Sequence, residues 1–166
     1  MRRDKPIEEK KPMTATVTFD VEKLTQYLES HVAGFIGPIT LTKFTGGQSN
    51  PTYKVTAKSG LYVLRSQPPG KLLKSAHAVD REYQVLDALK ETDVAVARVY
   101  HLCLDTSIMG AMFYLMEFCD GAVYWSASLP EISTNAYRSQ MYDAMNKSLV
   151  ALHSVDINAV GLQDYG

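Results

Sequence analysis

Hydrophobic residues recur at intervals of three and four in three segments of the chain, which is the spacing of one face of an α-helix. These segments are residues 21–32, 75–90 and 136–155. Residues that favour helix ends flank the first two segments. We predict that Asp20 and Ser75 cap their N-termini and that Gly34 ends the first helix. The pattern therefore predicts three helices, well separated along the chain.

Five other segments have the composition typical of β-strands. They are residues 39–44, 52–58, 61–67, 97–105 and 109–118. The last segment is almost entirely apolar, which favours a central strand that is covered on both sides. The order helix, three strands, helix, two strands, helix predicts an α+β fold, in which a five-stranded antiparallel sheet packs on a helix.

Composition and charge narrow the function classes. Hydrophobic residues make up 46% of the 166-residue chain and the formal net charge is −1, so no basic field attracts nucleic acid or an acidic membrane. No run approaches the ~20 apolar residues of a membrane-spanning helix. Residues 1–18 are charged at the start and lack an apolar core, so we expect a disordered tail and no secretory signal. Cys103 and Cys119 lie in apolar runs without metal-ligand spacing, and we predict two buried free thiols in a cytoplasmic protein.

A polar tip separates the first two predicted strands in the stretch FTGGQSNPTYKV, residues 44–55. The tip is longer than the two residues that a tight hairpin needs. Its two glycines and the residues Gln48, Ser49 and Asn50 offer backbone N–H groups and small side chains to a phosphate. Most such tips are only turns, so this feature alone leaves both interpretations open.

A basic and an acidic residue follow on neighbouring elements. Arg65 lies in the third predicted strand and Glu82 in the next helix. A cation on such a strand contacts phosphates in kinases, and an acid on the packed helix fixes its position. A solvated strand end and a solvated helix face explain each residue separately just as well. Asp80 and Arg81 are equally polar, so the choice of Glu82 depends on its register against the apolar face of the helix.

The apolar strand ends in the sequence MEFCDG, residues 116–121. Backbone groups just beyond a buried strand can bind the edge of an adenine while apolar residues enclose its ring. A strand that simply runs into a turn has the same composition. Near the end of the last helix, His153 is better explained by the helix dipole than by catalysis with Asp156.

Taken together, these stretches resemble a known family. YVLRSQPPGKLLKSAHAVDREYQVL, FYLMEFCDG, LHSVDINAVGLQDYG and the glycine tip together span most of residues 42–166. They resemble the amino-terminal lobe of the aminoglycoside phosphotransferase and choline kinase-like enzymes, which have a protein-kinase-like fold. The likeness is greatest to the kinase-like domains associated with acyl-CoA dehydrogenases. The resemblance implies a kinase N-lobe, with a five-stranded antiparallel sheet plus helix, followed by the first helices of an incomplete C-lobe.

The resemblance also implies a site for ATP and Mg²⁺. Arg65 would take the place of the phosphate-contacting lysine of most kinases, with Glu82 as its partner, and Lys71 or Lys74 could share that role. Met116 would border the adenine pocket, and the Glu117 carbonyl and Cys119 N–H would bind adenine. The residues expected to cover the phosphates are Gly46, Gly47, Gln48, Ser49 and Asn50.

The family pattern also defines the expected domains and the missing parts. Residues 1–18 would be the tail, 19–120 the nucleotide-binding N-lobe, and 121–166 the hinge exit and the start of a truncated helical C-lobe. The family's His-Gly-Asp…Asn loop and its later Asp, which bind Mg²⁺ and the acceptor hydroxyl, do not occur in the sequence. We therefore expect no catalytic residue here and no phosphate transfer by this chain alone.

Two functions remain open at this stage. The first is the nucleotide-binding part of an ATP-dependent kinase for a small-molecule hydroxyl, with a hydroxylated acyl compound favoured over an aminoglycoside. The second is a non-catalytic nucleotide-binding or dimerisation module. In either case the last helix should expose an apolar face, through which a homodimer could form.

Overall fold

The computed structural model describes residues 19–44, 49–68, 70 and 77–165 of the chain. The three helices and five strands follow one another in the predicted order. They are α1 (Val21–His31), β1 (Thr40–Lys43), β2 (Thr52–Ala57), β3 (Gly60–Ser66), α2 (Val79–Leu89), β4 (Val99–Cys103), β5 (Phe113–Glu117) and α3 (Asn135–His153).

The five strands form one antiparallel sheet in the order β1-β2-β3-β5-β4. The apolar strand β5 lies between β3 and β4, so the prediction of an interior strand is confirmed. It is shorter than expected, because a series of turns that includes Gly110, at a φ of 83°, precedes it. Only glycine adopts such a positive φ at little cost, and this turn delays the start of the strand.

Helix α1 covers one face of the sheet. The carboxylate of Asp20 accepts hydrogen bonds from the N–H groups of Glu22 and Lys23, which confirms the predicted cap. Gly34, at a φ of 75°, follows the end of the helix. The fully buried members of the core between α1 and the sheet are Leu24, Leu28, Val55, Leu64, Phe113 and Leu115. Because alternate residues of a strand point to opposite faces, β2, β3 and β5 each contribute one set of side chains to this core.

Helix α2 packs against β4 and β5 and carries the buried residues Val79 and Leu89. The helix begins at Val79, four residues later than the periodicity predicts. Ala78 occupies the cap position and contributes no side-chain hydrogen bond. Ser75, the predicted cap, lies outside the described residues.

After β5 the chain runs without regular structure to α3, and Trp125 on this segment is 85% exposed. Thr134 caps α3 by accepting a hydrogen bond from the N–H of Tyr137. No residue of α3 is buried. The predicted apolar face is therefore exposed in this chain, and its exposed members include Tyr137, Met145, Leu149 and Leu152.

Beyond α3 the chain returns to α2. Tyr165 contacts Arg81 on the first turn of that helix through two hydrogen bonds and through its ring. One prediction is wrong: Cys103 is a buried free thiol, but Cys119 is exposed. The reason is that β5 ends at Glu117, so Cys119 has already left the sheet. Among the described residues, no helix is long and apolar enough to cross a membrane.

Candidate functional site

Three polar residues form a row across the sheet on the face opposite α1. Thr52 of β2 pairs with Arg65 of β3, and Arg65 pairs with Tyr114 of β5. Directly paired residues on neighbouring strands point to the same face. All three side chains therefore extend toward α2, while their neighbours along each strand enter the core below α1.

Arg65 and Glu82 form an ion pair between this row and α2. The distance between Nε of Arg65 and Oε2 of Glu82 is 2.7 Å, and Nη2 donates to Oε1 at 3.3 Å. Of the three neighbouring polar residues on α2, Glu82 is thus the one that contacts Arg65, and Arg81 contacts Tyr165. The hydrogen bond to Glu82 raises the pKa of the Arg65 guanidinium, and partial burial opposes that rise.

Two further donors reach the same carboxylate. Nδ2 of Asn50 donates to Oε1 of Glu82 at 2.9 Å, and the hydroxyl of Tyr114 donates to Oε2 at 3.2 Å. Burial, followed by the neighbouring charge of Glu82, raises the pKa of Tyr114 well above its usual value, so the phenol stays a donor. Sequence reasoning missed Tyr114. Tyr114 could be found only from its pairing with Arg65, and that pairing is known only once the register of β3 against β5 is known.

Asn50 lies directly before β2 and is only 4% exposed. Its Oδ1 is 2.9 Å from Nδ1 of His77, so the imidazole donates this hydrogen bond. His77 has a φ of 60°, which is uncommon for a residue with a side chain. The interaction links the end of the glycine tip to the start of α2, and sequence reasoning missed His77 as well.

A second row lies one step further along the same face. Lys54, Val63 and Met116 are paired across β2, β3 and β5. The ammonium of Lys54 lies 4.5 Å from the ring centre of Phe118, which is a cation–π contact. Met116, the predicted border of the adenine pocket, thus lies on the same face as Arg65, separated from it by one residue pair.

The remaining predicted residues lie near the ends of strands β2 and β5. The carboxylate of Glu117 accepts a hydrogen bond from the N–H of Arg98, and Cys119 is exposed two residues beyond β5. Ser49 is exposed at the edge of the tip. Gly46, Gly47, Gln48, Lys71 and Lys74 lie outside the described residues. Within the described part of the chain, no group of three His, Cys, Asp or Glu residues could hold a metal ion.

The five-stranded antiparallel sheet, with a helix carrying an acid opposite a basic residue of the third strand, defines the N-lobe of a kinase-like phosphotransferase. The sequence profile of the phosphotransferase enzyme family matches residues 40–166. The chain belongs to this family.

Solved and curated relatives agree with this assignment. A crystal structure from Ralstonia eutropha, of a protein provisionally named an aminoglycoside phosphotransferase, is 46% identical, with a TM-score of 0.78 over 89% of this chain and 42% of its own. The Arabidopsis thaliana "probable acyl-CoA dehydrogenase IBR3" is 44% identical over 89% of this chain and 19% of its own length. Acyl-CoA dehydrogenase family member 10 of Mus musculus is 41% identical over 94% of this chain and 15% of its own length. The chain thus spans less than a fifth of the length of these two curated relatives.

Proposed function

We propose that this chain is the nucleotide-binding part of an ATP-dependent phosphotransferase that transfers a phosphoryl group to the hydroxyl of a small molecule. The observation that carries the proposal is the Arg65–Glu82 ion pair, at 2.7 Å, between the third strand and the helix that follows it. In kinases, this pair of positions must be in place for the nucleotide phosphates to be held. Arginine at the basic position keeps a fixed charge and a planar set of donors for phosphate oxygens.

In the proposed site, the two rows on the α2 face would contact different parts of the nucleotide. The row of Arg65 would face the phosphates, covered by residues 46–50 of the tip. The row of Met116 and Val63 would border the base, and the Glu117 carbonyl and Cys119 N–H would bind its edge. In this proposal residues 19–120 form the nucleotide lobe and residues 121–166 lead into the helical part of the family fold.

ATP would supply the phosphoryl group and this chain would orient it. Kinases also use Mg²⁺ ions and an aspartate beside the acceptor hydroxyl. The described residues contain no cluster that could hold such an ion, so we assign no metal-dependent step to them. The proposal places those roles in the further length that the relatives have.

The acceptor class follows from the relatives only by analogy. Two of them are named as acyl-CoA dehydrogenases, so we propose a hydroxylated acyl compound as the acceptor and not an aminoglycoside. The test measures phosphoryl transfer from ATP to hydroxyacyl compounds and to aminoglycosides, by a longer protein that contains this chain. Transfer to aminoglycosides and not to hydroxyacyl compounds would contradict the proposed acceptor while leaving nucleotide binding intact.

The first test of nucleotide binding is calorimetric titration of this chain with ATP, together with the variants Arg65→Ala and Arg98→Ala. Arg98 is a matched control, because its guanidinium lies beside Tyr100 and away from the Arg65 row. Loss of a charge-assisted hydrogen bond should weaken ATP binding about tenfold in Arg65→Ala. The control should bind as the wild type does. Absence of ATP binding by the folded wild type, or equal binding by Arg65→Ala, would overturn the proposal.

The exposed face of α3 supports a second candidate, a dimerisation module. Large apolar side chains on this helix are open to water, with Met145 61% and Leu149 51% exposed, and such a surface favours association. Sedimentation of the wild type and of Leu149→Glu distinguishes the two functions. A stable wild-type dimer that dissociates in the variant, without ATP binding by either, would favour the module. A monomer that binds ATP favours the phosphotransferase.

A further inference from the structure

Four residues on the α2 face form a closed ring of hydrogen bonds. The hydroxyl of Thr52 donates to the backbone carbonyl of Asn50 at 3.0 Å and accepts from Nη1 of Arg65 at 2.9 Å. Arg65 donates to Glu82, and Glu82 also accepts from Nδ2 of Asn50 at 2.9 Å. The ring therefore begins and ends at Asn50, which contributes its backbone to one side and its side chain to the other.

The ring determines the orientation of the Arg65 guanidinium. A guanidinium has five N–H donors. Three go to Glu82 and Thr52, through Nε, Nη1 and Nη2. Among residues 19–44, 49–68, 70 and 77–165, no side chain or backbone group accepts either of the other two. Within the described part of the chain these two N–H groups, one on each Nη atom, have no acceptor, and the three hydrogen bonds of the guanidinium determine their directions.

We infer that Asn50 is a positioning residue that sets the Arg65 guanidinium before the nucleotide arrives. The inference rests on the proposed function and deepens it. Asn50 would not itself cover a phosphate with its side chain, because that side chain is buried against Glu82 and His77. Its role is to hold Oε1 of Glu82 while its carbonyl, through Thr52, holds Nη1 of Arg65. A preorganised donor group binds more tightly because less freedom is lost on binding.

His77 selects the orientation of the Asn50 amide. An asparagine side chain can rotate so that its oxygen and nitrogen exchange places, and the exchanged orientation would set Oδ1 against the Glu82 carboxylate. The 2.9 Å hydrogen bond from Nδ1 of His77 to Oδ1 stabilises the productive orientation. The φ of 60° at His77 is a strained backbone conformation, and such a conformation persists only where surrounding contacts stabilise it.

The test removes the donor of the Asn50–Glu82 contact and leaves the Arg65–Glu82 ion pair in place. Asn50→Asp removes the donor and sets two carboxylates together, so ATP binding by this chain should weaken about tenfold. Asn158→Asp makes the same chemical change at an exposed site after α3 and should leave binding unchanged.

A second readout reports the guanidinium directly. The Nε–H signal of Arg65 in a nitrogen-15 NMR spectrum should exchange slowly in the wild type, and it should move and exchange faster in Asn50→Asp. Thr52→Val provides an independent break in the ring if Asn50→Asp does not fold, and it should weaken ATP binding in the same direction. A merely structural role of Asn50 would lower stability and leave the Nε–H signal of Arg65 unchanged in the folded variant.

The outcomes separate the inference from the proposed function. If the wild type binds no ATP, the proposed function fails and the positioning role fails with it. If the wild type binds ATP and folded Asn50→Asp binds it equally well, only the positioning role is overturned. Weakened ATP binding by folded Asn50→Asp with an Arg65 Nε–H signal that matches the wild type also contradicts it.

Discussion

Arg81 and Tyr165 contact each other through three interactions, although 84 residues separate them. Nη2 of Arg81 donates to the backbone carbonyl of Tyr165 at 2.6 Å, and the Tyr165 hydroxyl donates to the backbone carbonyl of Arg81 at 3.2 Å. The guanidinium also lies 4.5 Å from the centre of the tyrosine ring. Arg81 immediately precedes Glu82, so this contact attaches the returning chain to the part of α2 that holds Arg65.

We expect Arg81→Ala to loosen the first turns of α2. The variant loses the cation–π contact and one hydrogen bond, which at an exposed site stabilise by about 1 kcal/mol. Amide hydrogen exchange in residues 82–86 should therefore become faster. Lys90→Ala removes an exposed ion pair at the other end of the same helix and is the control. Equal exchange in wild type and Arg81→Ala would show that the contact does not restrain the helix.

We expect Arg65→Lys to be destabilising although it keeps the charge. A lysine ammonium cannot reproduce the planar contacts of Arg65 with both oxygens of Glu82 and with Thr52. The free energy of unfolding should fall by about 1–2 kcal/mol, measured by urea denaturation. Arg98→Lys, on an exposed side chain, should change it by less than about 0.5 kcal/mol. Similar values for the two variants would mean that the contacts of Arg65 contribute little to stability.

We expect stability to depend on His101 in mildly acidic solution. Burial, and then the neighbouring His31, lower the pKa of His101, and its Nε2 lies 2.9 Å from the Tyr27 hydroxyl. The folded state therefore favours neutral imidazole, and the unfolded state binds the proton more readily. This contribution is present above the unfolded pKa of about 6.5 and is lost as the pH falls through the lower folded value.

Urea denaturation between neutral and mildly acidic pH measures this loss in the wild type and in His101→Gln. The variant should lose less stability than the wild type over that interval. Gln140→Ala, at an exposed position of α3 without a titratable group, is the control and should follow the wild type. Parallel pH profiles for wild type and His101→Gln would contradict the expectation.

We expect the core beneath α1 to determine whether the sheet folds. Phe113 is fully buried in β5 and contacts the ring of Tyr27 edge-on, with 6.0 Å between ring centres. Phe113→Ala should lower the free energy of unfolding by about 3–5 kcal/mol, because it leaves a cavity as well as removing buried area. Val150→Ala, at a position 64% exposed on α3, should change it by less than about 0.5 kcal/mol. A small effect of Phe113→Ala would show that the core repacks.

Periodicity and end residues were sufficient for the element order and for the cap at Asp20, because these depend on local sequence. The Arg65–Glu82 pair was predicted as well, from the helical register and the family resemblance together. The start of α2 was not predicted. A helical pattern extends into residues 75–78, but nothing in the pattern reveals that the backbone turns to a positive φ at His77.

The donors around Glu82 could not be predicted for a different reason. Tyr114 reaches Glu82 only because β5 is inserted between β3 and β4 and pairs with β3 in one particular register. Asn50 is predicted as part of the tip that covers the phosphates, and the sequence gives no sign that its amide donates a hydrogen bond to Glu82. Cys119 follows an apolar strand in the sequence, and only the end of β5 at Glu117 reveals that it is exposed. Each of these facts depends on contacts between distant segments.

The cross-strand row of Thr52, Arg65 and Tyr114 has a consequence for folding. A slip of one residue in the pairing of β2 with β3 turns every side chain of the slipped strand to the opposite face. Arg65 would then point into the apolar core below α1, and Glu82 would lose its cation. The ion pair therefore forms only when the strands are correctly aligned, and a sheet assembled out of register would lack the row that we propose faces the phosphates.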